Sequence, residues 1–355
     1  MIQHFLFRIL LSPISLLYGI GVALRNALYE YGALKEVSFD IPTISVGNLS
    51  IGGAGKTPHV EYLIRLLRPY IKVATLSRGY NRKSKGYINV LQNHSVEQVG
   101  DEPLQYRRKY PDIMVTVSES RTFAIPQIIM EQPQTQVVLL DDAYQHRAIK
   151  PGFNLLLTDY RKLFTRDYLL PSGRLREWRS AYKRANRIVI SKCPTVVTEA
   201  KREEILQEIK PTPRQKVYFS YYKYLPAYYM FNAQQWLRFA EDVDVLLICA
   251  IAGTDYLLDY LEPKVNNVQV LEYEDHHYFD KFDVSNLHTN FENLNSSKKV
   301  IVTTEKDAMR LEVHRDYLIE KKLPIFVLPV EVAFHFDQKQ AFDQDVKEFL
   351  LSFKI

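Results

Sequence analysis

"TISVGNLSIGGAGKTPHV", residues 43–60, decides how the rest of the chain is read. The β-rich apolar run "PTISV" leads into a glycine-containing loop. "KTPHVEYLIRLLRPY" then follows with Val60, Leu63, Ile64 and Leu67 at helical spacing. Strand, loop and helix in this order form the setting for a G-x-x-x-x-G-K-[ST] phosphate-binding loop. Gly55, Lys56 and Thr57 fit that pattern, while Ser50 stands where its first glycine is expected. Gly52 and Gly53 allow backbone angles that turn successive N–H groups toward an anion. The helix N-terminus adds partial positive charge, Lys56 reaches the β- and γ-phosphates, and the Thr57 hydroxyl is a Mg²⁺ ligand. Ser50, Ile51, Gly52, Gly53, Ala54, Gly55, Lys56 and Thr57 therefore read as a nucleoside triphosphate cradle. The plain alternative is a glycine-rich turn that holds nothing.

At 355 residues the chain is long enough for two domains with sizeable cores. Its 46% hydrophobic and 25% charged content is that of an ordinary globular protein, which argues against disorder. The net charge of +5 suits an anionic substrate or membrane surface and is too small to argue for nucleic acid. Cys193 and Cys249 lie far apart in strand-like runs, so they read as buried thiols, with neither disulfide nor zinc spacing. No obligate protein partner is evident.

Near the N-terminus, an uncharged run from Ile9 to Leu24 is flanked by Arg8 and Arg25. Its sixteen residues fall short of the roughly 20 a helix needs to span a bilayer. Pro13 interrupts the run and no small-residue cleavage site follows, so a secretory signal is not expected. An interfacial helix and a helix packed on the protein are both open readings. Apolar residues on nearly every face, with arginines at both ends, favour the interface.

Beyond the loop, apolar runs alternate with helical stretches. "KVATLSR", "IMVTVSE", "QVVLLDD", "FNLLLTD", "NRIVISK", "VDVLLICAIA", "VQVLEYE", "KKVIVTTEK" and "LPIFVLPVE" are the expected strands. Continuous hydrophobicity marks strands covered on both faces, hence α/β lobes with mostly parallel sheets. The proline- and tyrosine-rich segment 209–230 reads as a linker or hinge, with a small β-ribbon as one form. The expected organisation is a membrane-interface helix over 1–28, a P-loop NTPase-like lobe over 29–212, and a second α/β lobe with the hinge over 213–355. The tail "QAFDQDVKEFLLSFKI" is expected to be a closing amphipathic helix.

Several groups carry candidate chemistry. Asp141 and Asp142 end the strand "QVVLLDD", where a carboxylate holds Mg²⁺ opposite Thr57; capping or solvated turn residues are the alternative. Gln145, His146 and Arg147 follow directly. In "QVGDEPLQY", Asp101 and Glu102 precede a helix, and the spacing alone favours a cap over a general base. In "EYEDHHYFDKFD", neighbouring His276 and His277 do not share a face, which argues against a metal pair. One of them, bonded to a carboxylate, would serve as a proton acceptor. Lys306 in "VIVTTEKDAMRL" neutralises phosphate charge or simply pairs with Glu305 or Asp307. Arg78, Arg82, Lys83 and Lys85 gather on a loop that suits an anionic ligand or plain solvent.

Taken together, "SVGNLSIGGAGKTP", "SRGYNR", "VGDEP", "LDDAYQHR", "LPSGRLRE", "DHHYF" and "VTTEKDAMRL" resemble the tetraacyldisaccharide 4′-kinases of lipid A biosynthesis. The segments occur in the family's order and span most of the chain. The resemblance implies a bacterial inner-membrane enzyme, acting on the cytoplasmic face. It would use ATP and Mg²⁺ to phosphorylate the 4′-hydroxyl of a lipid A precursor, a tetraacylated glucosamine disaccharide 1-phosphate. It implies that Asp101 and His276 act as a couple at the acceptor hydroxyl, reversing the cap-first reading of Asp101. It also implies that Thr57, Asp141 and Asp142 manage the metal and that Arg176 lies near the nucleotide. Ala143 and Tyr144 depart from the usual Gly-Phe, and Arg174 stands where Pro is typical. Two rival classes are a membrane-peripheral GTPase switch and a nucleotide-binding scaffold without turnover. The spacing in "TTEKDA" does not match the guanine-reading [NT]-K-x-D pattern.

Overall fold

The computed structural model describes residues 2–353, with side chains from Ile9 onward. Arg8, Lys354 and Ile355, which figured in the reading of the two ends, lie outside that description. In chain order the strands are β1 (Thr43–Asn48), β2 (Val73–Ser77), β3 (Ile88–Asn89), β4 (Met114–Val117), β5 (Val137–Asp141), β6 (Phe153–Asp159), β7 (Arg187–Ser191) and β8 (Lys216–Tyr224). They are followed by β9 (Ala227–Tyr229), β10 (Asn232–Leu237), β11 (Asp244–Cys249), β12 (Asn267–Glu272), β13 (Lys299–Thr304), β14 (Ile325–Leu328) and β15 (Val330–Phe334).

Nine strands form one sheet in the order β15-β8-β7-β6-β1-β5-β2-β4-β3, and six form another in the order β10-β9-β14-β13-β11-β12. From β8 to β4 the first sheet is parallel, and antiparallel strands close its two edges. The second is parallel from β12 to β14. Strands β1, β2 and β5 are buried along their whole length, because helices cover both faces. This matches the two-lobed α/β architecture with mostly parallel sheets read from the sequence.

The division between the sheets departs from the expected boundary at 212/213. Strand β8, inside the segment read as linker, is a member of the first sheet and pairs in parallel with β7. "LPIFVLPVE" is two strands rather than one. Pro329 cannot donate a ladder hydrogen bond, and on either side of it β14 belongs to the second sheet and β15 to the first. The C-terminal helix Gln338–Ser352 also belongs to the first lobe, where Phe342 and Val346 pack with Tyr218 and Val332. The chain thus leaves the first sheet after Tyr224 and returns at Val330, two residues paired with each other. Tyr224 stacks on Tyr260 at 4.1 Å and Tyr222 meets Tyr256 edge-on at 5.3 Å, so tyrosines of the expected linker join the lobes.

The N-terminal helix runs from Ile2 to Glu30. Its stretch Ile9–Glu30 is long and apolar enough to cross a membrane, longer than the sixteen-residue run suggested, because Arg25 and Asn26 do not end the helix. One face is fastened to the first lobe. The Ser15 hydroxyl lies 3.2 Å from the Leu169 carbonyl, Trp178 Nε1 donates to the Gly19 carbonyl at 2.8 Å, and Asn26 donates to Glu177 at 2.8 Å. The opposite face leaves Leu10, Leu17 and Leu24 from 61% to 74% exposed.

Candidate active site

The loop after β1 explains its missing glycine. Ser50 pairs as an antiparallel bridge with Leu175, and the Ile51 N–H donates to the Arg174 carbonyl at 2.7 Å. Positive φ is confined here to Gly52 (103°) and Gly55 (80°), so a serine at position 50 is unstrained. A Cβ on Gly55 would lie 2.5 Å from the Tyr222 hydroxyl, which restricts that position to glycine twice over.

Asn48, which the sequence reading passed over, organises the cradle. It is 2% exposed. Its amide donates to the Ser50 carbonyl at 2.7 Å, and its Oδ1 accepts from Lys56 Nζ at 3.3 Å and Arg176 Nη2 at 2.7 Å. Arg176 also reaches Asp142 Oδ1 at 3.0 Å, and Lys56 lies 3.7 Å from the same oxygen. Burial alone would raise the Asp142 pKa, but Lys56 and Arg176 more than offset it and hold the carboxyl well below its usual range. "GN" at the end of a buried strand was the available signal for Asn48.

Asp141 behaves differently. Burial, reinforced by nearby Glu102, pushes its carboxyl up to about 7. Oδ2 accepts from the Tyr106 hydroxyl at 3.0 Å, whereas the buried Oδ1 has no hydrogen-bond partner. The Thr57 hydroxyl donates to Glu102 Oε1 at 3.1 Å. Among the described residues no cluster of three or more His, Cys, Asp or Glu side chains forms a ready-made cage. Mg²⁺ seldom uses one, preferring one or two carboxylates together with substrate phosphates and water. An orphaned carboxylate oxygen beside a phosphate loop and a threonine hydroxyl suits that mode, so the residues present fit the metal.

Across the cleft, Asp101 and His276 meet. Asp101 opens the helix Asp101–Lys109 and is 3% exposed. Gly100 holds the cap position, so the cap reading of Asp101 fails; its Oδ1 accepts from the adjacent Glu102 N–H at 2.9 Å, while Oδ2 lies 3.1 Å from His276 Nδ1. His276 Nε2 sits 3.1 Å from Lys306 Nζ. A lysine ammonium only donates, so Nε2 is the acceptor and Nδ1–H donates to Asp101. Lys306 also donates to Glu102 at 3.1 Å, and Arg310 lies 3.1 Å from Asp101. Burial opposes ionisation of Asp101, but Lys306, His276 and Arg310 outweigh it and hold the pKa far below the usual carboxylate range. Lys306, Arg310 and Glu102 thus complete a constellation of which the sequence reading ranked only two members.

Other candidates lie elsewhere. His277 bonds Asp283 at 2.7 Å and stacks on Tyr273, a structural role within the second lobe. Arg147 pairs with Glu36 at 2.6 Å, not with Asp141 or Asp142. Arg82 and Lys83 pair with Glu119 and Glu97, leaving Arg78 as the member of that loop that lines the cleft. One cavity of about 970 Å³ is lined by Lys56, Asp141, Asp142, His276 and Lys306, so the phosphate loop and His276 of the facing couple share one space. Lys109, 2.6 Å from Glu61 and 2.8 Å from Glu305, ties the lobes together beside it.

A phosphate cradle on a parallel sheet, closed over by a second lobe whose His276 meets the ionised Asp101 of the first, meets the requirements of phosphoryl transfer from a nucleotide. The molecule falls in the class of P-loop phosphotransferases. Comparison with known proteins narrows this. The chain belongs to the tetraacyldisaccharide-1-P 4′-kinase family, whose family model matches residues 7–351. It is 42% identical over 347 residues to the tetraacyldisaccharide 4′-kinase of Phocaeicola vulgatus, covering 96% of this chain and 94% of that one. Against the enzyme of the same name from Flavobacterium johnsoniae it is 41% identical over 345 residues, with 97% and 98% covered. The crystal structure of LpxK from Aquifex aeolicus in complex with ATP superimposes with a TM-score of 0.72 at 27% identity, over 97% of this chain and 99% of that one.

Proposed function

We propose that this chain transfers the γ-phosphate of ATP to the 4′-hydroxyl of a tetraacylated disaccharide 1-phosphate, a lipid A precursor. Family membership supports the reaction. The observation that supports the site assignment is the Asp101–His276 pair, contributed by different lobes, whose His276 lines the cavity that holds Lys56.

The loop Ser50–Thr57 holds the triphosphate through its N–H groups, with Lys56 at the transferring phosphoryl group and Arg176 beside it. Mg²⁺, held by Thr57, Asp141 and Asp142 together with the phosphates, supplies charge neutralisation when bound. The acceptor hydroxyl approaches Asp101. Lys306 and Arg310 keep Asp101 ionised through the physiological range at the cost of basicity. A loose transition state tolerates a weak base, since proton transfer is late and positioning supplies most of the rate. His276 orients Asp101 through its Nδ1–H. The ribbon around Tyr224 and Val330 is the hinge on which the second lobe closes and excludes water. The exposed apolar face of the N-terminal helix rests in the cytoplasmic leaflet of the bacterial inner membrane, where an acylated acceptor is found.

The test is transfer from γ-labelled ATP to a lipid A precursor, run beside GTP and lipid-free controls. Label in the lipid with ATP alone supports the reading. GTP hydrolysis without lipid would indicate a switch, and nucleotide binding without turnover a scaffold.

A further inference from the structure

Where the lobes meet beside the cleft, two buried carboxylates share one ammonium. Glu61, on the helix Lys56–Leu67, is 1% exposed, and Glu305, the first residue of the helix Glu305–Leu311, is 7% exposed. They belong to different lobes, yet Lys109 Nζ lies 2.6 Å from one and 2.8 Å from the other. The Glu305 carboxyl also accepts from the backbone N–H of Val330, where the chain re-enters the first sheet. The surrounding groups do not balance the pair. Gln105 donates to Glu61 at 2.8 Å and is neutral. Arg65 stands 3.7 Å from Glu61 and divides its charge with Glu331 on β15, 3.6 Å away. Tyr110 and, on β9, Tyr228 are phenols that burial pushes up to about 12, so both are neutral. Arg108 is taken by Glu312. Three carboxylates, Glu61, Glu305 and Glu331, thus face two cations, Lys109 and Arg65. A buried excess of negative charge is relieved by binding a proton. Burial first, and then Glu61, push the Glu305 carboxyl up to about 7 against the pull of Lys109. Lys306 and Arg310 follow Glu305 on the same short helix and both face Asp101, so what seats Glu305 also seats them.

We propose that Glu61, Lys109 and Glu305 form a proton-operated latch: the lobes close with uptake of one proton by the carboxylate pair, which brings Lys306 and Arg310 onto Asp101. This rests on the hinge closure of the kinase reading above and adds its regulation. The three are positioning residues, since they act on the reacting groups only through the helix Glu305–Leu311. When the lobes part, Glu305 leaves Glu61 and returns to water, where its ordinary value is 4.5. Between pH 4.5 and about 7 the closed form therefore holds a proton that the open form has released. Closure is most favoured at the acid end of that window and weakens as pH rises through it. Above it both forms are ionised and the preference levels off. The proton comes from solvent on closing and returns on opening, by way of the cavity that Glu305 lines.

Closure is read without substrate. Spin labels on Tyr70→Cys and Phe282→Cys, both 77% exposed and on different lobes, report the distance between the lobes, and the native Cys193 and Cys249 are buried. The full-length, nucleotide-free protein is measured from pH 5 to pH 8. The closed population is expected to fall as pH rises from 5 to 7, the closing equilibrium changing by up to about tenfold per pH unit, and to level off above 7. Glu305→Gln, a neutral mimic of the protonated side chain, stays closed and removes this slope. Glu61→Gln takes away the repelling charge and moves the slope to lower pH. A wild-type population that ignores pH, or a slope unchanged in Glu305→Gln, would overturn the proposal. Should that variant not fold, an unmoved slope in Glu61→Gln does the same. Phosphoryl transfer from ATP to the lipid acceptor is assayed alongside. Closure that follows pH without any transfer supports the latch and sinks the kinase reading, whereas transfer with closure blind to pH sinks the latch alone.

Discussion

His276 Nδ1 lies 3.1 Å from Asp101 Oδ2, although 175 residues separate the two and each belongs to a different lobe. The contact exists only because the second lobe folds back over the helix that Asp101 opens. Replacing Asp101 with Asn keeps the shape and removes the anion. The expected outcome is a fall in kcat of about 10²–10⁴-fold with the KM for ATP little changed. Turnover near the wild-type level would remove Asp101 from the proton-accepting role.

Asp141 combines a raised pKa with a buried, unpartnered oxygen. Asp141→Asn should raise the Mg²⁺ concentration needed for half-maximal activity by about 10–100-fold. The same substitution should stabilise the metal-free protein in alkaline buffer. A carboxyl raised to about 7 from 3.8 binds more protons folded than unfolded, so it lowers stability as pH rises through that window. Melting curves at pH 8 and pH 4 check the sign: the gain is present at pH 8 and gone at pH 4.

His59 is fully buried behind the phosphate loop, with Nδ1 2.7 Å from the Gly55 carbonyl and Nε2 3.0 Å from the Ser220 hydroxyl. Burial depresses its pKa from 6.5 to about 4, despite the opposing bond to Gly55. The unfolded chain therefore binds the proton more readily. The resulting stability is present above pH 6.5 and lost as pH falls toward 4, worth roughly 3 kcal/mol across the window. Chemical denaturation of the wild type and of His59→Asn over that range is the measurement. A slope equally steep in the variant would refute the assignment.

Gly19 is where the N-terminal helix touches the body of the enzyme. A Cβ there would lie 2.6 Å from both Leu169 Cδ1 and Trp178 Cζ2. Gly19→Leu is expected to weaken docking of the helix by about 1–3 kcal/mol. Trp178 fluorescence should shift to the red and phosphorylation of a lipid acceptor should drop, while ATP affinity is retained. An unchanged Trp178 signal would show that the helix accommodates the side chain.

The legible parts of the fold were those written in local pattern. Continuous apolar runs announced β1, β2 and β5, because strands covered on both faces admit no polar alternation. In the stretch 209–230, read as a linker or hinge with a β-ribbon as one form, the membership of β8 in the first sheet was not legible, because prolines and tyrosines resemble a linker in sequence. Its tyrosines instead find partners on both lobes, as Tyr224 does on Tyr260. "LPIFVLPVE" was misread for a related reason: nothing in its hydrophobicity tells that Pro329 separates strands of two sheets.

At the site, Gly55, Lys56 and Thr57 were readable because a phosphate loop is built from consecutive residues. Asn48 and Arg310 were not, and Lys306 was legible only as a phosphate-facing cation or an ion-pair partner of Glu305 or Asp307, since a lone asparagine or an i,i+4 pair of cations on a helix has many ordinary uses.

By itself the sequence determined the chemistry of each segment: which run becomes a strand, which loop turns its N–H groups toward an anion, and where carboxylates end an apolar strand. Local sterics and side-chain periodicity act over a few residues, so these features need no knowledge of the whole. Only the tertiary structure decided which charges face one another. Electrostatic pairing depends on separation in space, and in this protein the return of the chain from the second sheet to the first sets those separations.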